Sequence, residues 1–453
     1  MIPEVLQQHD TIVAVATAPG RGAISVVRLS GPDAFGIAAR HLRQMPSHPR
    51  TAHLCEVFRG DEKLDEALVT LYPAPNSFTG DDTVEFSSHG GNLVPASIVA
   101  ALTESGARQA LPGEFTRRAV LNGKLDIIQA EAIGDLIDAR SHIMQRTALD
   151  QLDGGLSRRL TALRDSLLEL ESLIAYDVDF PEEDDGPIPR ARIETAAESV
   201  LASLDQLLLT VPVGEIVREG AVVVIAGPPN VGKSSLFNAL LGKSRAIVTE
   251  IPGTTRDALE GVIDTGKWPL RLVDTAGLRE TGDLIEQLGI EVSERYLAGA
   301  QVVLACAESA ASLDQIKEVV GKRTEAPVVS VRTKADLVAN GEKLPPSAIA
   351  VSAETGLGLK ELLGAIDRVI DRRQGFIPPD VPILTRARHR KALDLARGDV
   401  AVPRCLANAA SSGDDSGGSF ANRNFRVGGA DRHIRSGGCA RSAFQLFLCR
   451  EVA

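Results

Sequence analysis

Residues 227–235, G-P-P-N-V-G-K-S-S, are the stretch that most narrows what this chain can fold into. They follow an apolar run, Val222, Val223, Val224 and Ile225, and precede a helical pattern that starts at Leu236. Strand, glycine-rich loop and helix in that order turn the G-x-x-x-x-G-K-[ST] spacing into a phosphate-binding loop. Backbone N–H groups of such a loop and of the helix N-terminus converge on phosphate oxygens. Asn230, Val231, Gly232, Lys233, Ser234 and Ser235 are the expected nucleotide contacts. Lys233 reaches the β- and γ-phosphates in a catalytic role, and Ser234 offers its hydroxyl to Mg²⁺.

Three later strings say which nucleotide. Asp274, Thr275, Ala276 and Gly277 follow a buried-strand pattern at 270–273, so Asp274 can hold the magnesium through water and Gly277 can bring its N–H to the γ-phosphate. Thr333, Lys334, Ala335 and Asp336 follow a strand at 328–331. A carboxylate there accepts the N1–H and 2-amino group of guanine, a donor pair that adenine lacks. Ser352, Ala353 and Glu354 follow a strand at 348–351 and close over the base. In this order, each string at the carboxyl end of a strand, the set resembles the translation-factor class of GTPases. Residues 249–257 lie where switch I belongs, so Thr249, Glu250, Ile251, Pro252, Gly253, Thr254 and Thr255 are further GTP contacts, with Thr255 on magnesium. Many small GTPases place a water-orienting glutamine after the glycine of the second string. Leu278 stands there and cannot hydrogen-bond water, so hydrolysis is slow or another group does the work.

With 453 residues, two or three domains are expected. The 44% apolar and 24% charged content fits a soluble globular chain, and the net charge of −11 argues against a broad basic nucleic-acid surface. The five cysteines show no metal spacing and read as reduced thiols of a cytoplasmic protein. The N-terminal residues are polar and no apolar run approaches a membrane span, so neither a signal peptide nor a span is expected.

The fold class expected is multidomain α/β: an N-terminal α+β domain (1–125), an all-α helical region (126–215 and 379–398), and between its two parts an inserted P-loop GTPase domain (216–378) with a mostly parallel sheet. In the first domain, strands are expected at 11–16, 24–29, 67–72 and 83–87, and a helix from 96. The polar stretches 77–91 and 111–126 read as loops; with the strand at 24–29 they bring Arg28, Glu85, His89, Arg117 and Lys124 to the surface, where composition alone makes them solvated charges. In the second, Leu156, Leu160, Leu163, Leu167, Leu170 and Ile174 recur at steps of three and four, the core stripe of one long helix.

Three blocks carry a closer resemblance: T-I-V-A-V-A-T-A-P-G-R-G-A-I-S-V-V-R-L-S-G, then S-F-T-G-D-D, then P-G-E-F-T-R-R-A-V-L-N-G-K-L-D with Q-A-E-A-I after it. Together with the GTPase strings, they resemble the MnmE (TrmE) family, the GTPases of tRNA wobble-uridine C5 modification. The resemblance covers residues 1 to about 398 and implies several things. The N-terminal domain forms a homodimer and takes 5-formyltetrahydrofolate or a related tetrahydrofolate, with the folate contacts falling on Arg28, Glu85 and Lys124. Potassium is held by Asn230 and by Thr249, Ile251 and Thr254. The water-orienting carboxylate falls on Glu286, which composition alone makes an ordinary exposed helical residue. The family acts on tRNA in a heterotetramer with an FAD-dependent partner.

Beyond residue 399 the resemblance stops. Residues 411–418 are Gly/Ser-rich, no lysine follows Lys391, and the chain ends F-Q-L-F-L-C-R-E-V-A. Back-translated and shifted by one nucleotide, that ending reads F-S-S-F-C-V-G-K and a stop, the family's own ending, so the tail (399–453) reads as out of frame. Loss of the family's last helices is expected to expose the Leu156–Ile174 stripe. Two alternatives stand beside the leading one: a GTP-switched ribosome assembly factor, and a damaged member with GTPase but little modification activity.

Overall fold

The computed structural model describes residues 10–179, 188–243, 259–274, 296–337, 345, 348–375 and 381–411. The chain forms two compact units, Met1–Glu131 and Ala132–Ala453.

The first unit is built on a six-stranded sheet in the order β3-β4-β5-β2-β1-β6. The strands are β1 (Ile12–Val15), β2 (Ile24–Ser30), β3 (His53–Arg59), β4 (Glu62–Tyr72), β5 (Thr83–His89) and β6 (Arg108–Gln109). All pairings are antiparallel except β1 with β6. Period-2 alternation sends Val27, Leu29, Val69, Leu71, Val84 and Phe86 into one core beneath the helices Ala34–Ala39 and Leu93–Glu104. The opposite face carries Arg28 and Glu85, directly paired across β2 and β5. Within the stretch expected as loop at 111–126, residues Glu114–Leu121 form a helix instead. Its Glu114 and Arg118 are buried, and Glu114 accepts from Leu111 N at 2.8 Å to close the first turn.

The second unit holds the inserted α/β domain and the helical region from Ala132 onward. Its sheet runs β12-β11-β10-β7-β9-β8, with β7 (Ala221–Ala226), β8 (Leu259–Asp264), β9 (Pro269–Asp274), β10 (Val302–Ala307), β11 (Val328–Arg332) and β12 (Ile349–Ala350). Every pairing is parallel except β8 with β9. Both faces are covered, as an apolar run such as Val222–Ile225 requires. Val223 and Ile225 pack with Leu236, Leu362 and Ile366, while Val222 and Val224 pack with Leu297 and Val320.

The helical region comprises Ile127–Ile137, His142–Leu152, Gly155–Asp179, Arg190–Leu208 and Val211–Glu219, then Ala387–Ser411 after the insert. Leu156, Leu160, Leu163, Leu167 and Leu170 are buried. This overturns the expected exposure of that stripe. Arg190–Leu208 packs on Gly155–Asp179 and is packed in turn by Ala387–Ser411, which runs past the boundary drawn at 398. The stripe continues through buried Leu173, with Ile174 half-buried. Residues Ala191–Glu219 are long and apolar enough by composition to cross a membrane, contrary to the expectation of no such run, but 56% of the apolar window is buried inside the protein.

Candidate nucleotide and one-carbon-donor sites

β7 and β9 end side by side, with Ile225 paired to Asp274. Gly227 then turns the chain beneath β10, where a Cβ would lie 2.4 Å from the Cys306 carbonyl oxygen, so only glycine fits. Asn230 takes positive φ (60°), a conformation that asparagine tolerates better than most residues. The helix Lys233–Lys243 starts directly after the loop. Lys233 is buried and donates from Nζ to the Pro228 carbonyl at 2.8 Å, folding its ammonium back over the loop. Ser234 donates from Oγ to Asp274 Oδ2 at 2.6 Å. Asp274 is fully buried, so a hydroxyl and a carboxylate, both hard oxygen donors, meet beside a lysine, a set that fits Mg²⁺. Burial pushes the Cys306 thiol up to about 12, opposed by the nearby Lys233 charge and reinforced by Asp274. That thiol is a packing group and no nucleophile.

The third string approaches from β11. Thr333 donates from Oγ1 to the Val231 carbonyl at 2.5 Å, tying the end of β11 to the glycine-rich loop. Sequence reasoning assigned Thr333 only to the nucleotide; a hydroxyl at a strand end opposite the loop was the available signal. Lys334, at φ 53°, pairs with Glu308 at 2.5 Å. Asp336 is exposed on a short 3₁₀ turn (Ala335–Leu337). Ala335 N donates to Val351 O at 3.0 Å, which brings the fourth string alongside. There Ser352 is fully buried and takes Thr355 N on its hydroxyl at 3.2 Å, while Ala353 is half-buried and Glu354 exposed. The structure therefore brings residues 230–235, Asp274, 333–336 and 352–354 to the carboxyl ends of neighbouring strands. Thr249, Glu250, Ile251, Pro252, Gly253, Thr254, Thr255, Thr275, Ala276, Gly277, Leu278 and Glu286 lie outside the described residues.

In the first unit, Arg28 donates from Nε to Glu85 Oε1 at 2.8 Å, and both side chains are 23% exposed. Phe78 and Phe115 flank the guanidinium at 5.1 and 5.6 Å from their ring centroids, contacts that the sequence did not announce. Asn122 donates to the Thr79 carbonyl at 2.7 Å and so joins the S-F-T-G-D-D and L-N-G-K-L-D blocks. Lys124 is exposed, and its stem passes over Gly80, where a Cβ would lie 3.3 Å from the lysine Cγ. His89 bonds through Nδ1 to Asp65 at 2.7 Å. Burial opposes ionisation of Asp65, but hydrogen bonds from His89 hold its carboxyl below the usual range.

The family model described as GTP-binding protein TrmE N-terminus matches residues 11–124, and that of the MnmE helical domain matches residues 127–415. The tRNA modification GTPase MnmE of Heliobacterium modesticaldum is 43% identical over 408 residues, spanning 85% of this chain and 87% of that protein. This chain belongs to the MnmE family of tRNA modification GTPases. The MnmE of Porphyromonas gingivalis is 39% identical over 408 residues, covering 85% of this chain and 86% of its own. Among solved structures, a point variant of Aquifex aeolicus Era bound to GDP·AlF₄⁻ aligns with 39% of this chain and 66% of that chain, at 25% identity and a TM-score of 0.26. The G domain of the T. maritima FeoB iron transporter aligns with 33% and 99%, at 25% identity and a TM-score of 0.26. MnmE membership rests in part on the N-terminal unit, and it displaces the ribosome-assembly alternative.

Proposed function

We propose that the protein is a K⁺-dependent, cytoplasmic GTPase that hydrolyses GTP to drive C5 modification of the wobble uridine (position 34) of tRNA. The observation that carries the GTPase half is the Ser234–Asp274 bond beside buried Lys233 at the mouth of a parallel sheet. Lys233 neutralises β- and γ-phosphate charge, Asp336 selects guanine, and Ser234, Asp274 and Thr255 hold magnesium. Mg²⁺, when bound, withdraws charge from the bridging phosphate oxygens. Glu286 orients the attacking water that Leu278 cannot. Asn230, Thr249, Ile251 and Thr254 hold K⁺, which supplies the positive charge that an arginine finger gives elsewhere. In the first unit, Glu85 accepts the amino and ring N–H groups of a reduced pterin, and Arg28 and Lys124 take the donor's carboxylates. We propose further that the protein works as a homodimer with an FAD-dependent partner. The tail read as out of frame, 399–453, overlaps the helical-domain match as far as residue 415.

Nucleoside mass spectrometry on tRNA from cells that lack their own family member tests the modification half. Expression of this chain is expected to restore the C5-modified uridine, and Glu85→Ala is expected to abolish it while GTP turnover stays intact. Full modification by Glu85→Ala would contradict the donor assignment.

A further inference from the structure

We infer that Asp264 is a positioning residue that couples the nucleotide site to the helical region through the helix His142–Leu152. The inference rests on the GTP reading of the Lys233–Asp274 site. β8 and β9 form a hairpin with Leu259 opposite Asp274 at one end and Asp264 opposite Pro269 at the other. Six residues of strand span roughly 16 Å, so one end lies at the nucleotide and the other well away from it.

At the far end, Asp264 Oδ2 accepts a hydrogen bond from His142 N at 3.1 Å, and Oδ1 accepts from Gly266 N at 2.9 Å. His142 opens its helix behind the cap Ser141, whose hydroxyl accepts from Met144 N. The carboxylate thus satisfies a first-turn N–H that has no partner within the helix and faces the positive end of its dipole. Ile143 and Met144, in the same turn, pack against the α/β core. The hairpin turn is clamped to the helix Leu359–Gln374: Thr265 donates to Asp367 at 2.8 Å, and Trp268 Nε1 and Lys267 donate to Asp371 at 3.0 and 2.5 Å. These bonds fix the turn that carries Asp264 to that helix.

The other end of the same helix grips the chain where it returns from the α/β domain. Gln151, buried in the last turn, donates from Nε2 to the Ile383 carbonyl at 3.0 Å. Leu384 N donates to Thr210 Oγ1 at 3.1 Å on the outward crossing. Gly214 lies so close to Leu384 that a Cβ would sit 1.8 Å from its carbonyl oxygen. Both crossings are thus held in direct contact. A shift of β9, produced by what Ser234 and Asp274 hold, passes along the hairpin to Asp264, through His142 into a rigid helix, and out at Gln151 to residues 383–385.

Two variants break the link from opposite sides. Asp264→Ala removes the acceptor. His142→Pro removes the donor and keeps the helix, because proline is favoured at the first helical position and Ser141 is already extended (φ −147°, ψ 157°). Hydrogen exchange at 383–385 is measured on the full chain with GDP and with a slowly hydrolysed GTP analogue. The wild type is expected to change protection there by about fivefold or more between the two nucleotides, the low end of ordinary coupling. Both single variants and the double variant should lose that difference equally while still binding both nucleotides. A merely structural role would lower melting temperature and leave the nucleotide-dependent difference in place, which would overturn the proposal. So would a wild type that binds both nucleotides with no change at 383–385. A wild type that binds neither would instead overturn the GTP reading on which the proposal rests.

Discussion

Thr333 shows how one hydroxyl can tie two segments of a site together. Its Oγ1 lies 2.5 Å from the Val231 carbonyl and 3.3 Å from that of Ala307, so it bridges the phosphate loop and the β10 end. Thr333→Val keeps the shape and leaves a buried carbonyl without that donor, at a cost of about 1 kcal/mol. GTP affinity, read by titration of a fluorescent analogue, is expected to fall about fivefold; an unchanged affinity would contradict the bridging role. Such bridges were not legible in the sequence. The phosphate loop was, because glycine, lysine and serine at fixed spacing have one common use. Thr333 appeared only as a member of its string, since its partner is 102 residues away and set by strand order. The aromatic flanks of Arg28 were hidden for the same reason: Phe78 and Phe115 come from different segments and meet only in the folded unit.

Among elements, the helix Glu114–Leu121 carries an ion network rather than an apolar anchor. Arg108 donates to Asp10 at 2.6 Å and to Glu114 at 2.6 Å, and Arg118 donates to both carboxylates. Burial works against ionisation of Asp10 and Glu114, but hydrogen bonds from the two arginines overcome it and hold both carboxyls below their ordinary values. Folded values below the unfolded ones mean the stabilisation is complete above the unfolded carboxylate range, about pH 4, and is lost as pH falls through the folded values. Urea midpoints of the first unit's transition should therefore drop below about pH 4, and more shallowly in Arg108→Gln. A pH-independent midpoint would contradict the network's role. The paired arginines in P-G-E-F-T-R-R gave this helix the look of a polar loop, because two of its three buried residues, Glu114 and Arg118, are charges that satisfy one another, with Ala119 the third. β3 escaped notice likewise: Leu54 faces out, Glu56 and Arg59 interrupt the pattern, and only Cys55 and Val57 are buried. The stripe from Leu156 to Leu170 was legible as a 3.6-residue period; its direct cover is Arg190–Leu208, and that Ala387–Ser411 braces that cover was not legible, because this helix lies beyond the inserted domain in the chain.

At the scale of the molecule, an α/β domain is inserted between two stretches of one helical region. Both crossings lie together at Thr210, Gly214 and Leu384, and a single helix braces them against the β8–β9 turn. The domain order was readable because the periodicity changes from helical to strand-like and back. The contact between the crossings was not, because nothing in the local sequence at Gly214 names Leu384 as its neighbour. GTP turnover by the full chain, measured in KCl and in NaCl at equal ionic strength, tests the assignment most directly. The proposed Asn230 site and its partner loop predict stimulation by K⁺ of about tenfold or more, the scale of a well-placed transition-state charge. Turnover indifferent to the cation would contradict the K⁺-dependent mechanism.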